Sequence, residues 1–367
     1  MTRFPMRKLV IEKAKLQNNI DIIKKMTSST IIAVLKGNGY GLGLVEFARL
    51  LQENSIDYFA VSTLEEALTL RQNGMDGRIL LLAPPGSPEE AEIIVNYNIM
   101  PTIGSIHSAS LMEEAGLKAG KSVDLHLKID TGFGRFGFLW NETDRYSTGL
   151  KSLSCLNIVG TYTHLSYSFE KKARSIHLQF ERFLKSVESL KAAGIPTGML
   201  HIANSCAFLR FPAMHLDAVR IGSAFLGRIP IENPYGLEKI GFLKSRIIDV
   251  KTLPKGYSIG YANTYRTKKE TRIGIVPIGY KDGFGIEKSK DTFRFIDILR
   301  YIYHDIKLLN KHLFARLGDQ SKVRILGRVS MFNIVLDLTG TGADIGDEVI
   351  LEVNPVLVEG SVEREYI

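Results

Sequence analysis

Lys36 closes the apolar run TIIAVL and is followed at once by Gly37-Asn38-Gly39-Tyr40-Gly41-Leu42-Gly43. A lysine at the end of an apolar strand, depressed in pKa by burial and by neighbouring cations, becomes a nucleophilic amine. That is what a Schiff base requires. Four glycines in the next seven residues let the backbone come close to a bulky ligand. Alone, Lys36 reads as readily as a surface lysine at a strand end, so its weight comes from what other strand ends carry. Asp130 and Arg135 follow VDLHLKI, His164 follows NIVGTY, Asn204 and Ser205 follow GMLHIA, and DAVRI carries Arg220 with Gly222 beside it.

Those groups need a scaffold that gathers strand ends. From about residue 30 to 222 the chain repeats a short β-branched run, a turn and an amphipathic stretch, the rhythm of βα units. The strand candidates are TIIAVL (30–35), YFAVS (58–62), RILLLA (78–83), MPTIG (100–104), VDLHLKI (123–129), NIVGTY (157–162), GMLHIA (198–203) and DAVRI (217–221). They fill a closed (β/α)8 barrel, whose strands open at their C-terminal ends onto a common mouth. After the sixth strand, Ile176, Phe180, Phe183, Leu184, Val187 and Leu190 predict one helical stripe, and Gly194 predicts its C-cap. Ser205, Arg220 and Gly222 lie where the seventh and eighth loops of such barrels commonly hold a phosphate.

From about 235 onward strands and turns follow without helices between them, as in RIIDVKTL, TRIGIVPIG, VRILGRV, FNIVLDL and DEVILEV. The expected architecture is α/β: a (β/α)8 TIM-like barrel over 9–232, then a C-terminal mainly-β domain over 233–367 on which residues 1–8 pack. One stretch, 291–314, shows helical spacing at Phe295, Leu299, Ile302, Ile306 and Leu309 and predicts a helical insertion packed on the β domain or on a partner subunit.

Composition narrows the function classes. A chain of 367 residues with 45% hydrophobic content has material for two cores. The net charge of +8 is interleaved along the chain, which argues against a nucleic-acid partner and favours attraction of anionic small ligands. The N-terminal stretch lacks the apolar core of a signal peptide, and no segment approaches the about 18 apolar residues of a spanning helix. Cys155 and Cys206 form neither a disulfide framework nor a metal-type spacing, so no metal and a reducing, cytoplasmic location are expected. Gly132-Phe133-Gly134-Arg135-Phe136-Gly137 spells the dinucleotide pattern but is followed by FLWNETD, where a phosphate-binding helix should begin.

AVLKGNGYGLG resembles the lysine signature of alanine racemases, and HLKIDTGFGRFGF, THLS, HIANSCA, DAVRIG, GYANTY, VPIGYKDGF and ILGRVSM resemble their later blocks in the same order, from about residue 9 to 352. The resemblance implies a pyridoxal-phosphate-dependent amino-acid racemase that interconverts L- and D-forms by two-base proton exchange. It also implies a homodimer whose active sites each borrow residues from the neighbour's β domain. Lys36 would bind the cofactor and serve one face of the substrate, and Tyr261 from the partner chain the other. His164, with Arg220 behind it, would supply cationic company to the phenol through a hydrogen-bonded chain. Arg220 would meet the pyridine nitrogen. Tyr40, Asn204, Ser205, Gly222 and Ser223 would hold the cofactor and its phosphate. Arg135 would lie near the cofactor's phenolic oxygen and the substrate carboxylate, backed by Lys128, a position carbamylated in several relatives. The Met331 backbone would hold that carboxylate and Tyr280 would line the entrance.

The chain departs from the family pattern at Leu42 in place of a histidine, Phe332 in place of an aspartate and Pro355 in place of a tyrosine. These changes leave open a racemase of serine or of a larger amino acid. A same-fold decarboxylase of a basic or diamino acid lacks its cysteine-plus-aspartate motif here, and a non-catalytic cofactor carrier would have no use for the β domain.

Overall fold

The computed structural model describes residues 7–287, 290, 294–309 and 312–367. They form two compact units, one running from Ala14 to Ile240 and one made of the segment up to Lys13 with Gly241–Ile367. The sequence puts those boundaries at 9 and 233. The shift at the first comes from the strand Arg7–Ile11, which pairs with Phe242–Arg246 and Glu363–Tyr366.

The first unit is a closed parallel barrel of eight strands: Thr30–Val34, Tyr58–Val61, Arg78–Leu81, Met100–Ile103, Val123–Asp130, Leu156–Tyr162, Met199–Asn204 and Ala218–Ile221. Neighbours pair in chain order, and Ala218–Ile221 returns to pair with Thr30–Val34. All eight predicted strands are present. Ile32, Val34, Ala60, Leu80, Met100 and Ala218 pack inside the barrel, where alternate residues of each strand meet. Helices follow the strands on the outside, as a buried parallel sheet requires. The helix Arg174–Ala192 buries Ile176, Phe183, Val187 and Leu190 as its period predicts. Gly194 (φ 72°) ends it, with its amide on the Lys191 carbonyl and that of Ile195 on the Leu190 carbonyl, each at 2.9 Å.

The second unit is built on a nine-stranded sheet that is antiparallel except where Arg7–Ile11 runs alongside Glu363–Tyr366. RIIDVKTL straddles two strands, Phe242–Arg246 and Asp249–Leu253, because Ile247 and Ile248 turn the chain between two partners. The inserted helix is present over Phe295–Leu308; residues 291–293 and 310–311 of the predicted segment lie outside the described residues. Its apolar stripe is left largely exposed among the described residues. Phe295 and Leu309 are 74% and 78% exposed, and Asp297 is the buried residue of the helix.

Candidate active site

The chain leaves the first barrel strand through a turn of left-handed helix, with φ of 65° at Gly37, 55° at Asn38, 63° at Gly39, 54° at Tyr40 and 86° at Gly41. L-residues in that conformation cost about 1–2 kcal/mol each, so glycine at alternate positions confines the strain to Asn38 and Tyr40. Glu66 clamps the turn: its Oε1 accepts from the amides of Gly37 (2.6 Å) and Asn38 (3.3 Å), and its Oε2 from Ser62 (3.0 Å). These glycines therefore serve the turn itself, rather than only the approach of a ligand. Lys36 precedes the turn, and its side chain is exposed. The expected burial of the amine is absent from this chain; the neighbouring cations are present.

The strand ends enclose a cavity of about 400 Å³. Its walls carry Lys36, Tyr40, Lys128, Arg135, His164, Asn204, Ser205, Arg220, Gly222 and Ser223; of the strand-end groups that the sequence brought forward, Asp130 is not among them. Four of them are cationic, and no aspartate or glutamate among the described residues lines the space. The nearby carboxylate of Asp130 is engaged elsewhere. It accepts from the amides of Gly132 (2.8 Å), Phe133 (2.8 Å), Gly134 (2.9 Å) and Arg135 (3.3 Å). The apparent dinucleotide loop is thus a nest of amides filled by the chain's own carboxylate. Gly137 (φ 123°) then lets the loop press against the backbone of residues 128–130, where a Cβ would come within 2.8 Å. The result sets the Arg135 guanidinium over Phe133 (4.5 Å) and Phe136 (5.7 Å).

Lys128 is buried between Phe136 (5.3 Å) and Tyr162 (5.4 Å), and loss of solvent, then Arg135 and Arg220, lower its pKa to about 8. Burial and the same cations bring His164 down to about 3, so its imidazole is neutral. No hydrogen bond joins His164 to Arg220 among the described residues; His164 instead meets the Phe133 ring edge-on at 5.2 Å. The expected chain from Arg220 through His164 is therefore corrected. The guanidinium is committed to His201, and the cationic company available near His164 is Arg220 itself.

Arg220 is buried, and desolvation lowers its pKa to about 10, which leaves it charged at neutral pH. Its Nη1 donates to His201 Nδ1 (2.8 Å) and the His201 carbonyl (3.0 Å), and its Nη2 to the carbonyls of Thr163 (2.7 Å) and Ile202 (3.2 Å). Nε is the one guanidinium N–H without a partner among the described residues, on a side chain that lines the cavity. An acceptor such as a heteroaromatic nitrogen fits that position.

A second opening fits an anion. Ser205 Oγ accepts from the amides of Gly222 (3.1 Å) and Ala224 (3.3 Å), so its own proton remains to be donated. Tyr40 packs closely against Gly222, where a Cβ would fall 2.6 Å from the phenolic oxygen. Burial raises the Tyr40 phenol to about 12, which keeps it a donor. The Gly222 amide, expected to face a phosphate directly, is instead used to orient Ser205. Asn204 Oδ1 caps the following helix through Ala207 N at 3.1 Å.

In the β unit, Tyr261 is 70% exposed. It sits after Gly260 (φ 77°), whose Cβ would come 3.3 Å from Arg328 N. Tyr280 N donates to the Ser330 carbonyl (3.0 Å), and Lys281 N to that of Met331 (3.1 Å), so Tyr280 and Met331 share one loop cluster. Phe332 is exposed there with Arg7 over its ring at 6.0 Å, Pro355 packs on Gly241, and Leu42 is fully buried in the barrel unit.

Sequence reading missed Tyr162, Tyr58, His126 and His201. Tyr162 lines the cavity and stacks on His201 at 4.8 Å. The signal was the period of two: His126 and Lys128 share the inward face of one strand, and Tyr162 that of the next.

The region 11–230 matches the model of the alanine racemase N-terminal domain, and 241–359 that of the alanine racemase C-terminal domain. The chain belongs to the alanine racemase family. Among curated members, the alanine racemase of Carboxydothermus hydrogenoformans is 36% identical over 274 residues, 73% of this chain and 74% of that protein. Alanine racemase 1 of Caldanaerobacter subterraneus is 31% identical over 341 residues, 91% of this chain and 82% of that protein. Among solved family structures, the alanine racemase of D-cycloserine-producing Streptomyces lavendulae superposes with a TM-score of 0.85 at 26% identity, covering 99% of this chain and 97% of that one. The alanine racemase of Bacillus anthracis with bound L-Ala-P gives 0.81 at 28% identity, covering 96% and 86%.

The buried Lys128 cation makes a prediction about the cofactor-free chain of this family member. The unfolded chain keeps the Lys128 proton up to its ordinary pKa of 10.5, the folded chain only up to about 8. The unfolded state therefore binds more protons between those values, and stability rises with pH across that window. Replacing Lys128 by Met should raise urea stability at neutral pH by on the order of 2 kcal/mol, a gain that disappears as pH passes through the window. A loss of stability at neutral pH would contradict the geometry.

Proposed function

We propose that this chain is a pyridoxal-phosphate-dependent alanine racemase in which Lys36 and Tyr261 exchange the α-proton on opposite faces of the substrate. The observation that carries this reading is a cavity with an amine at its mouth, four cations in its walls and no acid among its described lining residues. Such a space calls for an occupant bearing several negative charges and a carbonyl group. Pyridoxal phosphate brings both, and an amino acid joined to it adds a carboxylate. When bound, the cofactor supplies an electron-withdrawing ring that makes the α-hydrogen of the attached amino acid removable.

The chain's own groups then divide the work. Lys36 Nζ would hold the cofactor, and as a free amine would take or return the proton on one face of the substrate. Ser205 and Tyr40 would hold the phosphate beside Gly222 and Ser223, with Asn204 fixing the loop. Arg220 Nε would face the ring nitrogen and, as a guanidinium, would keep its proton. Arg135 would attract the phenolic oxygen and the substrate carboxylate, with Lys128 behind it.

The second face needs a second base, because a planar carbon centre is reached from one side by any one group. The cavity's own phenols are unsuited to that task. Tyr40 stands at the phosphate, and Tyr162, raised to about 12 by burial, is bound to Thr102 at 2.9 Å. Tyr261, exposed on the β unit with Tyr280 and Met331 in that unit's loops, fits the role in a homodimer that brings it from a second copy. Its phenolate would be stabilised by the Arg220 charge across the neutral His164. No helix among the described residues is long and apolar enough to cross a membrane, and we place the enzyme in the cytoplasm.

Exchange of the α-proton in D2O, followed across a panel of amino acids with chiral product analysis, tests this reading. Alanine should exchange and racemise fastest. Tyr261→Phe should lose turnover by about 10²–10⁴-fold, the range for removal of a general acid/base, while keeping the cofactor bound. Undiminished activity in that variant would remove Tyr261 from the site, and preference for a larger amino acid would move the substrate away from alanine.

A further inference from the structure

The interior of a closed eight-stranded barrel is ordinarily filled by branched apolar side chains. Here a polar column runs through it. Arg220 Nη1 donates to His201 Nδ1 (2.8 Å), His201 Nε2 faces His126 Nδ1 (2.8 Å), His126 Nε2 faces the Tyr58 hydroxyl (2.5 Å), and that hydroxyl points at Met100 Sδ (3.7 Å). Tyr58, His126 and His201 are fully buried. Room for them is provided in the backbone, since a Cβ on Gly160 would fall 2.4 Å from the His126 ring.

Proton bookkeeping fixes every member of the column. A guanidinium is a donor only, so His201 Nδ1 must offer a lone pair and the His201 proton sits on Nε2. That proton goes to His126 Nδ1, which places the His126 proton on Nε2, donated to Tyr58. The column is then a row of aligned dipoles with its electron-rich end at Arg220. Burial holds His126 at about 3 and His201 well below its ordinary value, so neither ring takes a second proton.

Arg220 needs such help. It is a buried cation that no carboxylate among the described residues pairs with, and an unpaired buried charge is costly unless hydrogen bonds and dipoles compensate it. Three carbonyls, the Tyr162 ring at 4.9 Å and His201 Nδ1 do so without cancelling its charge. A carboxylate in the place of His201 would neutralise the guanidinium and let the cofactor ring nitrogen accept a proton.

We propose that Tyr58, His126 and His201 are positioning residues for Arg220: the column holds the guanidinium by a single lone pair, aims Nε into the cavity and keeps its positive charge undiminished at the cofactor ring. The proposal rests on the racemase reading for its consequence, and on the barrel interior alone for its geometry. A loosened column would let the ring nitrogen take a proton from solvent, which would strengthen the ring as an electron sink and favour return of the α-proton to the cofactor's former aldehyde carbon; water would then release the substrate as its 2-oxo acid, with the amino group left on the cofactor.

Two measurements test it separately. In the cofactor-free wild-type protein labelled with ¹⁵N-histidine, His126 and His201 should both remain neutral with the proton on Nε2 between about pH 5 and pH 9. A proton on Nδ1 of either ring, or titration inside that window, overturns the column. In the loaded enzyme, Tyr58→Phe removes the far-end acceptor, some three side chains away from the cofactor. Racemisation should fall less than about ten-fold, while 2-oxo acid released per racemisation event should rise by about ten-fold or more. His201→Gln, which keeps an acceptor oxygen for Arg220, should hold that ratio closer to wild type than His201→Leu does. Ratios unchanged in Tyr58→Phe and His201→Leu, or racemisation and 2-oxo acid release falling in step, overturn the positioning role. A wild-type protein that racemises no amino acid overturns the underlying reading, and the tautomer measurement is independent of that outcome.

Discussion

Four positive charges share one cavity without an acid among its described walls, and this repulsion is the constraint to which the barrel's local structure answers. The pKa of Lys128 is lowered first by burial and then by its cationic neighbours Arg135 and Arg220, since like charges disfavour one another. The chain tolerates them by spreading compensation over groups that carry no net charge. Aromatic faces meet Lys128 and Arg135, and carbonyls with one imidazole lone pair meet Arg220. The nearby carboxylate of Asp130 is withheld, because four backbone amides occupy it. An anionic occupant then gains from all four cations at once, which is how a site built at a cost to the empty chain becomes selective for a phosphorylated cofactor and a carboxylate substrate.

Backbone conformation places these charges. The left-handed turn after Lys36 and the tight return at Gly137 are both unfavourable for most residues, and both lie next to a cavity-lining cation. Strain is concentrated where position matters and is held there by side chains outside the cavity, Glu66 in one case and Asp130 in the other. The eighth strand contributes Arg220 to the inside and, two residues later, Gly222, whose missing Cβ admits the Tyr40 ring.

Much of this was legible in the amino-acid order. The eight strands announced themselves because a barrel strand buried on both faces is a short run of apolar and β-branched residues, and the strand-end rule then located the cavity-lining residues. Family blocks added Tyr261, Tyr280 and Met331, for which local pattern alone offered no reason. Three features were not legible. The protonation of His164 depends on cations contributed by three other strand ends, which no local pattern reveals. The route of hydrogen bonds from Arg220 depends on which rings lie opposite one another across the barrel, and the chain turned to His201 rather than His164. RIIDVKTL read as one strand because an apolar pair, Ile247-Ile248, continues the pattern while the backbone changes partners. The inserted helix was found by its period, yet its period could not say that its apolar stripe stays uncovered by the described residues of its own chain.

The central claim is that the amine at the mouth of the cationic cavity is the covalent anchor of the cofactor. Borohydride reduction of the holoenzyme followed by tryptic peptide mass mapping tests it most directly. Trypsin passes over a modified lysine, so the account predicts a peptide spanning residues 26–49 that carries the reduced cofactor on Lys36. An adduct on Lys128 or another lysine, with 26–36 recovered unmodified, would contradict it.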